Sequence, residues 1–311
     1  MNILITGIHG FVGSNLVNSL KAHHKIYGLD ILSPNKDGVS KTYTWAELQS
    51  LPDVDTIIHL AGKAHDTKSQ FVAQSYFDIN TGLTQKIYDY FLTSSAKKFI
   101  FFSSVKAAAD TVDGDILTEN VIPNPKGPYG ESKILAEKYI QENWPTADSE
   151  KKVYILRPCM IHGPGNKGNL NLLYNVVSKG IPWPLGAFNN RRSFTSVGNL
   201  CFVIDGFVSC NIESGIYHMA DDEALSTNEL IEVMCEAMGR KARIWHLPKG
   251  LMNFVAQFGG VLHLPLNLER LRKLTENYVA SNAKIKNALG IKHMPISAGE
   301  GLKQTIVSFL K

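Results

Sequence analysis

The first half of the chain alternates short apolar runs with amphipathic stretches. "NILITG" at 2–7, "KIYGLD" at 25–30, "TIIHLAG" at 56–62, "KFIFFSS" at 98–104 and "KVYILRP" at 152–158 hold consecutive apolar residues, as strands buried on both faces do. Between them, helical periodicity predicts helices over about 11–22, about 72–94, and from near Tyr129. This order predicts βαβ winding, and so an α/β doubly wound parallel sheet (a Rossmann fold). Beyond "HGPGNKGN" the pattern changes to isolated helices, about 168–179 and 227–238, joined by loops carrying Pro182, Pro184, Asn189 and Asn190. The expected organisation is a sheet domain over 1–165 with a return segment near 193–220, where "GIYHMA" reads as a strand, and a smaller, mostly helical substrate-binding domain over 166–311. There is no internal repeat and no low-complexity tract.

Composition narrows the classes. At 311 residues with 44% hydrophobic content the chain builds a full core. Thirty-two Lys and Arg against 28 Asp and Glu leave a charge of +4, too weak and dispersed for a nucleic-acid groove. Cys159, Cys201, Cys210 and Cys235 form neither a CxxC pair nor a disulfide framework, and "MNILITG" carries no signal-peptide pattern, so a cytoplasmic protein is expected. The most membrane-like stretch, 250–266, holds Asn253, Gln257 and a glycine pair, and makes a poor spanning helix. It reads as packing inside the protein or against a partner subunit, with a peripheral membrane contact as the alternative.

"TGIHGFVG" sets Gly7, Gly10 and Gly13 between a strand and a helix, with Phe11 and Val12 in the first helical turn. Such a turn lets backbone N–H groups approach a pyrophosphate at a helix N-terminus. Asp30 ends the second strand, where a carboxylate accepts both adenosine ribose hydroxyls and repels a 2′-phosphate, so the expected cofactor is NAD rather than NADP.

"GPYGESK" sets Tyr129 and Lys133 four residues apart, on one helix face. A free phenol has a pKa of about 10 and is about a thousandth ionised at neutral pH. A nearby ammonium and a positive nicotinamide ring would favour the phenolate. Ser103 and Ser104 end "FIFFSS", where a doubly wound sheet presents ligand groups.

With these motifs in order, the chain resembles the extended short-chain dehydrogenase/reductase family in its NAD-dependent epimerase/dehydratase branch, over nearly the whole sequence. The resemblance implies that Tyr129 is the base at a sugar hydroxyl, that Lys133 tunes it and holds the nicotinamide ribose, and that Ser104 hydrogen-bonds the reacting oxygen. It also places Leu60, Ala61, Gly62 and Asn80 beside the cofactor, although Leu83 stands where the family has glycine. His59 is read as structural. On the substrate side, Asn169 and Arg192 match positions that bind the nucleotide diphosphate, and Tyr278 matches a position beside the hexose; Arg270 and Arg272 are weaker candidates. His162 stands where the family commonly has tyrosine. The surroundings most resemble bacterial UDP-sugar 4-epimerases and UDP-N-acetylquinovosamine 4-reductases. An intersubunit four-helix bundle, and so a homodimer, is implied for the helices carrying Phe71, Phe77, Tyr88 and Phe91 and their neighbour from Tyr129.

A 4,6-dehydratase needs an acid and a base after the strand-end hydroxyl, and Val105 and Lys106 occupy those places. The expected activity is therefore NAD-dependent 4-epimerisation of a UDP-hexose or UDP-N-acetylhexosamine. The alternatives are NAD(P)H-dependent reduction of a UDP-4-keto-6-deoxy-N-acetylhexosamine at C4 and a catalytically silent dinucleotide-binding regulator. No metal is expected.

Overall fold

The computed structural model describes residues 1–63, 73–166, 168–261 and 267–310. Among them, the strands are β1 (Asn2–Thr6), β2 (Lys25–Asp30), β3 (Lys41–Thr44), β4 (Thr56–His59), β5 (Lys98–Phe102), β6 (Lys152–Pro158), β7 (Met160–His162), β8 (Phe194–Ser196) and β9 (Gly215–Met219). Seven of them form one parallel sheet in the order β3-β2-β1-β4-β5-β6-β9, and β7 pairs with β8. The order reverses direction at β1 and β4, which opens a crevice at their carboxyl ends.

Alternation along each strand sends side chains to two cores. One face, with Ile3, Ile5, Ile58 and Tyr154, packs against α1 (Phe11–Leu20) and α7 (Val197–Ser209). The other, with Leu4, Ile57, Phe99 and Ile155, packs against α3 (Leu83–Thr93) and α5 (Pro128–Glu142). Both faces are covered, which explains why the strands read as continuous apolar runs. The short helices α2 (Gln74–Tyr76) and α4 (Val105–Ala108) complete this part. Strand β9, read from "GIYHMA", pairs with β6 at the sheet's edge.

The remaining helices are α6 (Asn169–Ser178), α8 (Thr227–Ala237), α9 (Lys249–Val261), α10 (Leu268–Thr275), α11 (Ala283–Leu289) and α12 (Ala298–Phe309). Most of them share a third core of Leu170, Ile231, Met234, Met252, Leu271 and Ile306.

Two features depart from expectation. Strand β3, "KTYT", is too short and too polar to stand out from sequence. The helix expected over about 72–94 contains a π-helical segment, Phe77–Gly82, between α2 and α3. Within the stretch at 250–266, Met252 and Ala256 of α9 face inward, while Leu251, Phe254, Val255 and Phe258 are exposed. Phe71 and residues 262–266 lie outside the described residues. No helix among the described residues is long and apolar enough to cross a membrane.

Candidate active site

After β1 the chain turns at Gly7 with φ +68°, a left-handed conformation suited to glycine. A Cβ there would stand 2.9 Å from Ala61 N, and a Cβ at Gly13 would stand 2.6 Å from Gly7 O. The turn is therefore pressed against the end of β4 and α1 sits directly on it. Helix α1 begins after Gly10 with no side-chain cap, so its first turn, with Phe11 and Val12, supplies backbone donors that no side chain caps. Asp30 is fixed beside the turn, accepting from His9 N at 3.0 Å and Ile31 N at 2.8 Å.

A closed chain of hydrogen bonds holds the β4 end. Thr84 donates to Asn80 O at 2.6 Å and so accepts from His59 Nε2–H at 3.0 Å, which leaves Nδ1 to accept from Thr6 at 2.7 Å. The Thr6 hydroxyl in turn accepts from Ala61 N at 3.0 Å. Burial, with the Lys133 charge behind it, holds His59 well below the usual imidazole range. His59 is thus a neutral brace for the segment Leu60, Ala61 and Gly62.

The end of β5 reads out three successive positions of α5. Ser104 hydrogen-bonds the Tyr129 phenol, Phe102 O accepts from Lys133 Nζ at 2.8 Å, and Ser103 donates to Glu137. Tyr129, Lys133 and Glu137 are four residues apart, so one helical face is registered on one strand end. Glu137 is fully buried and meets Arg157 of β6 through paired bonds, Nε to Oε1 at 3.0 Å and Nη2 to Oε2 at 2.6 Å. The ring of Tyr76 stands edge-on to that of Tyr129, centroids 6.4 Å apart.

The electrostatics differ from the simple expectation that Lys133 acidifies the phenol. Burial pushes the Tyr129 phenol up, and only the Ser104 hydrogen bond pulls it back. Burial likewise pushes Lys133 down to about 8, against the raising influence of Glu137. Desolvation favours the neutral form of both groups, so a further positive charge is needed to ionise the phenol.

On the side expected to hold the substrate, Arg192 is part-buried, and its Nη1 donates to Lys273 O at 2.6 Å. Its backbone bridges to Leu225 and to Tyr278. Tyr278 is buried, its hydroxyl 2.8 Å from Ala109 O and 3.2 Å from Val105 O. Lys106 lies over the Tyr278 ring at 4.4 Å, donates to Asp110 O at 2.7 Å, and is pushed down by burial. Residue 169 opens α6, but the side chain of Asn169 lies outside the described residues.

Residues 3–209 match the NAD dependent epimerase/dehydratase family. The chain belongs to this family. UDP-glucose 4-epimerase of Vibrio cholerae is 32% identical, over 100% of this chain and 96% of that protein. N-acetyl-α-D-glucosaminyl-diphospho-ditrans,octacis-undecaprenol 4-epimerase of Escherichia coli O157:H7 is 28% identical, over 92% of this chain and 84% of that protein. In fold, the chain is similar to UDP-glucuronic acid 4-epimerase from Bacillus cereus solved with NAD, at a TM-score of 0.74 and 19% identity over 100% and 99% of the two chains. The protein is an enzyme of the NAD-dependent epimerase and reductase kind, and its cofactor is NAD.

Two of the expected site residues make protein contacts of their own. Asn80, fully buried, takes Lys63 N on its oxygen at 2.7 Å and gives its amide to Ser132 Oγ at 2.9 Å and Lys63 O at 3.2 Å. Its polar atoms hold the backbone just after Gly62. Tyr278, expected beside the hexose, ties the chain after α10 to the segment following β5 through its bonds to Ala109 O and Val105 O. Sequence reasoning missed the Glu137–Arg157 anchor, because nothing local links a helical glutamate with an arginine 20 residues on. It also did not foresee that Lys106, two residues after Ser104, lies over the Tyr278 ring and bonds to Asp110.

Proposed function

We propose that the protein catalyses NAD-dependent 4-epimerisation of a UDP-hexose or UDP-N-acetylhexosamine through a transient 4-keto sugar. The observation that carries this is the register of Ser104, Tyr129 and Lys133 at the carboxyl edge of a parallel sheet, next to a glycine turn built for a dinucleotide. The names of the Vibrio cholerae and Escherichia coli relatives support C4 as the reacting carbon.

The residues present fit NAD. The turn through Gly7, Gly10 and Gly13, with the first-turn N–H groups of Phe11 and Val12, would hold the diphosphate, and Asp30 the adenosine ribose. Lys133, next to Gly62, would hold the nicotinamide ribose. When bound, NAD supplies the hydride acceptor for C4 and a positive ring beside the phenol. Tyr129 takes the C4 hydroxyl proton and later returns it, and Ser104 donates to the same oxygen. Arg192 and Lys106 together offer the cationic side of the site to a nucleotide diphosphate.

The test is to incubate purified enzyme with UDP-glucose and UDP-N-acetylglucosamine in the presence of NAD. The expected product is the C4 epimer with no accumulation of reduced cofactor. Sustained NADH consumption with a 4-keto sugar, and no epimer, would instead assign the reductase chemistry. We also infer a homodimer through the outer faces of α3 and α5, where Leu135 is exposed, and a cytoplasmic setting consistent with four free thiols. Sedimentation at micromolar concentration checks the first.

A further inference from the structure

The stretch from Gly239 to Phe258 presents cations and apolar side chains together. Arg240, Lys241, Arg243 and Lys249 are exposed and make no ion pair among the described residues. The first three line, with Lys179 and Ile181, a surface cavity of about 480 Å³. Trp245 lies between them and α9 in the sequence and is 55% exposed. On α9, Leu251, Phe254, Val255 and Phe258 follow the i, i+3, i+4, i+7 pattern of one helical face, and they are 48%, 58%, 38% and 52% exposed. The opposite face, Met252 and Ala256, is already buried in the third core. An exposed apolar stripe of this kind has a partner.

Charge identifies the partner. From residue 237 to residue 268 the sequence contains no Asp or Glu. A second copy meeting this face about a twofold axis would bring two sets of unpaired cations together with no carboxylate from either stretch between them. A surface that offers both hydrocarbon and fixed negative charge matches both halves of the stretch.

We propose that residues 239–258 dock the enzyme on an anionic lipid bilayer, with Trp245 and the outer face of α9 in the interfacial region and Arg240, Lys241 and Arg243 among the headgroups. Helix α9 has 13 residues, too few to span a bilayer and enough to lie along its surface. Basic residues beside an apolar face give binding that strengthens with anionic lipid and weakens with salt. The assignment does not depend on which sugar is turned over.

The experiment is co-sedimentation of the full chain with vesicles of phosphatidylcholine alone and of phosphatidylcholine with phosphatidylglycerol. Partition into the anionic vesicles should exceed that into neutral ones and fall as salt is added. Two variants, Phe254→Ser with Phe258→Ser, and Arg240→Gln with Lys241→Gln and Arg243→Gln, should each lower partition by about tenfold or more with the thermal midpoint unchanged. No binding of the native chain to anionic vesicles overturns the proposal, and so does binding that neither variant weakens. If the native chain is a dimer that Phe254→Ser with Phe258→Ser converts to a monomer, the face belongs to a second copy and the proposal fails.

Discussion

The cofactor side and the substrate side of the site are built differently. On the cofactor side, Thr6, Gly7, His59 to Gly62 and Ser103 to Ser104 are strand ends of one sheet, and each is tied to its neighbour by backbone or short side-chain bonds. On the substrate side, Arg192, Leu225, Lys273 and Tyr278 come from segments far apart in sequence and meet through isolated bridges. The first is rigid before any ligand arrives, as proton transfer within hydrogen-bond reach requires. The second is stitched together by bonds between distant segments, among them Arg192 N to Leu225 O, Ser193 N to Tyr278 O and Tyr278 N to Arg191 O.

The sharpest contrast is at Tyr129. Tyr129→Phe keeps the ring against Tyr76 and removes only the hydroxyl, so turnover should fall by about 10²–10⁴-fold with little change in KM or in unfolding midpoint. Steady-state kinetics on whichever UDP-sugar is epimerised checks this. Unchanged turnover would end the assignment of Tyr129 as the base.

Next in size is the anchor beneath it. Glu137→Ala leaves the Arg157 guanidinium buried without its carboxylate, and should cost about 3–5 kcal/mol in urea unfolding. Glu137 also raises Lys133, so its loss should push the lysine below about 8 and move the alkaline limb of the pH–rate profile downward. A purely structural role would change stability and leave that limb in place.

How much of this was legible in the sequence follows the same division. Strands β1, β2, β4, β5, β6 and β9 each carry several adjacent apolar residues, and glycine turns or strand-end hydroxyls mark their ends, so sheet and motifs were readable at short range. Strand β3 was not, because "KTYT" gains its place from pairing with β2 rather than from its own pattern. The π-helical segment that buries Asn80, and the burial of Tyr278 against Ala109, are set by contacts 50 to 170 residues away. No local spacing records such contacts. Which face of α9 is covered was not legible for a related reason: apolar content shows that a helix wants to be covered and is silent about which face the protein covers.

Lys133 gives the next prediction. Its pKa is about 8 in the fold against an ordinary 10.5, so below pH 8 the folded state carries a buried ammonium at a cost. Between pH 8 and 10.5 the unfolded chain still holds the proton that the fold has released, and stability from this group rises with pH. Lys133→Met removes that rise. The difference in unfolding free energy, native minus variant, should grow by about 3 kcal/mol across that window, and a flat difference would mean that the lysine is better solvated than its burial indicates.

On the substrate side the effects are smaller and appear in binding. Arg192→Ala should raise KM for the UDP-sugar by about tenfold while changing kcat less, since a charge-assisted bond to a diphosphate is made equally in ground and transition states. Equal losses in kcat with KM unmoved would place Arg192 at the reacting carbon instead.

The smallest expected effect separates the two sides most cleanly. The Tyr278 hydroxyl lies 2.8 Å from Ala109 O in a buried position, so Tyr278→Phe should cost about 1 kcal/mol of stability by leaving that carbonyl without its donor. KM for the UDP-sugar should not move, because the hydroxyl faces protein. A tenfold rise in KM with stability intact would return Tyr278 to the hexose, and would show that this side of the site rearranges when substrate enters. An unchanged KM would leave Arg192 and Lys106 as the groups through which the substrate side first registers its ligand, with Tyr278 fixing the strand and helix ends that carry them.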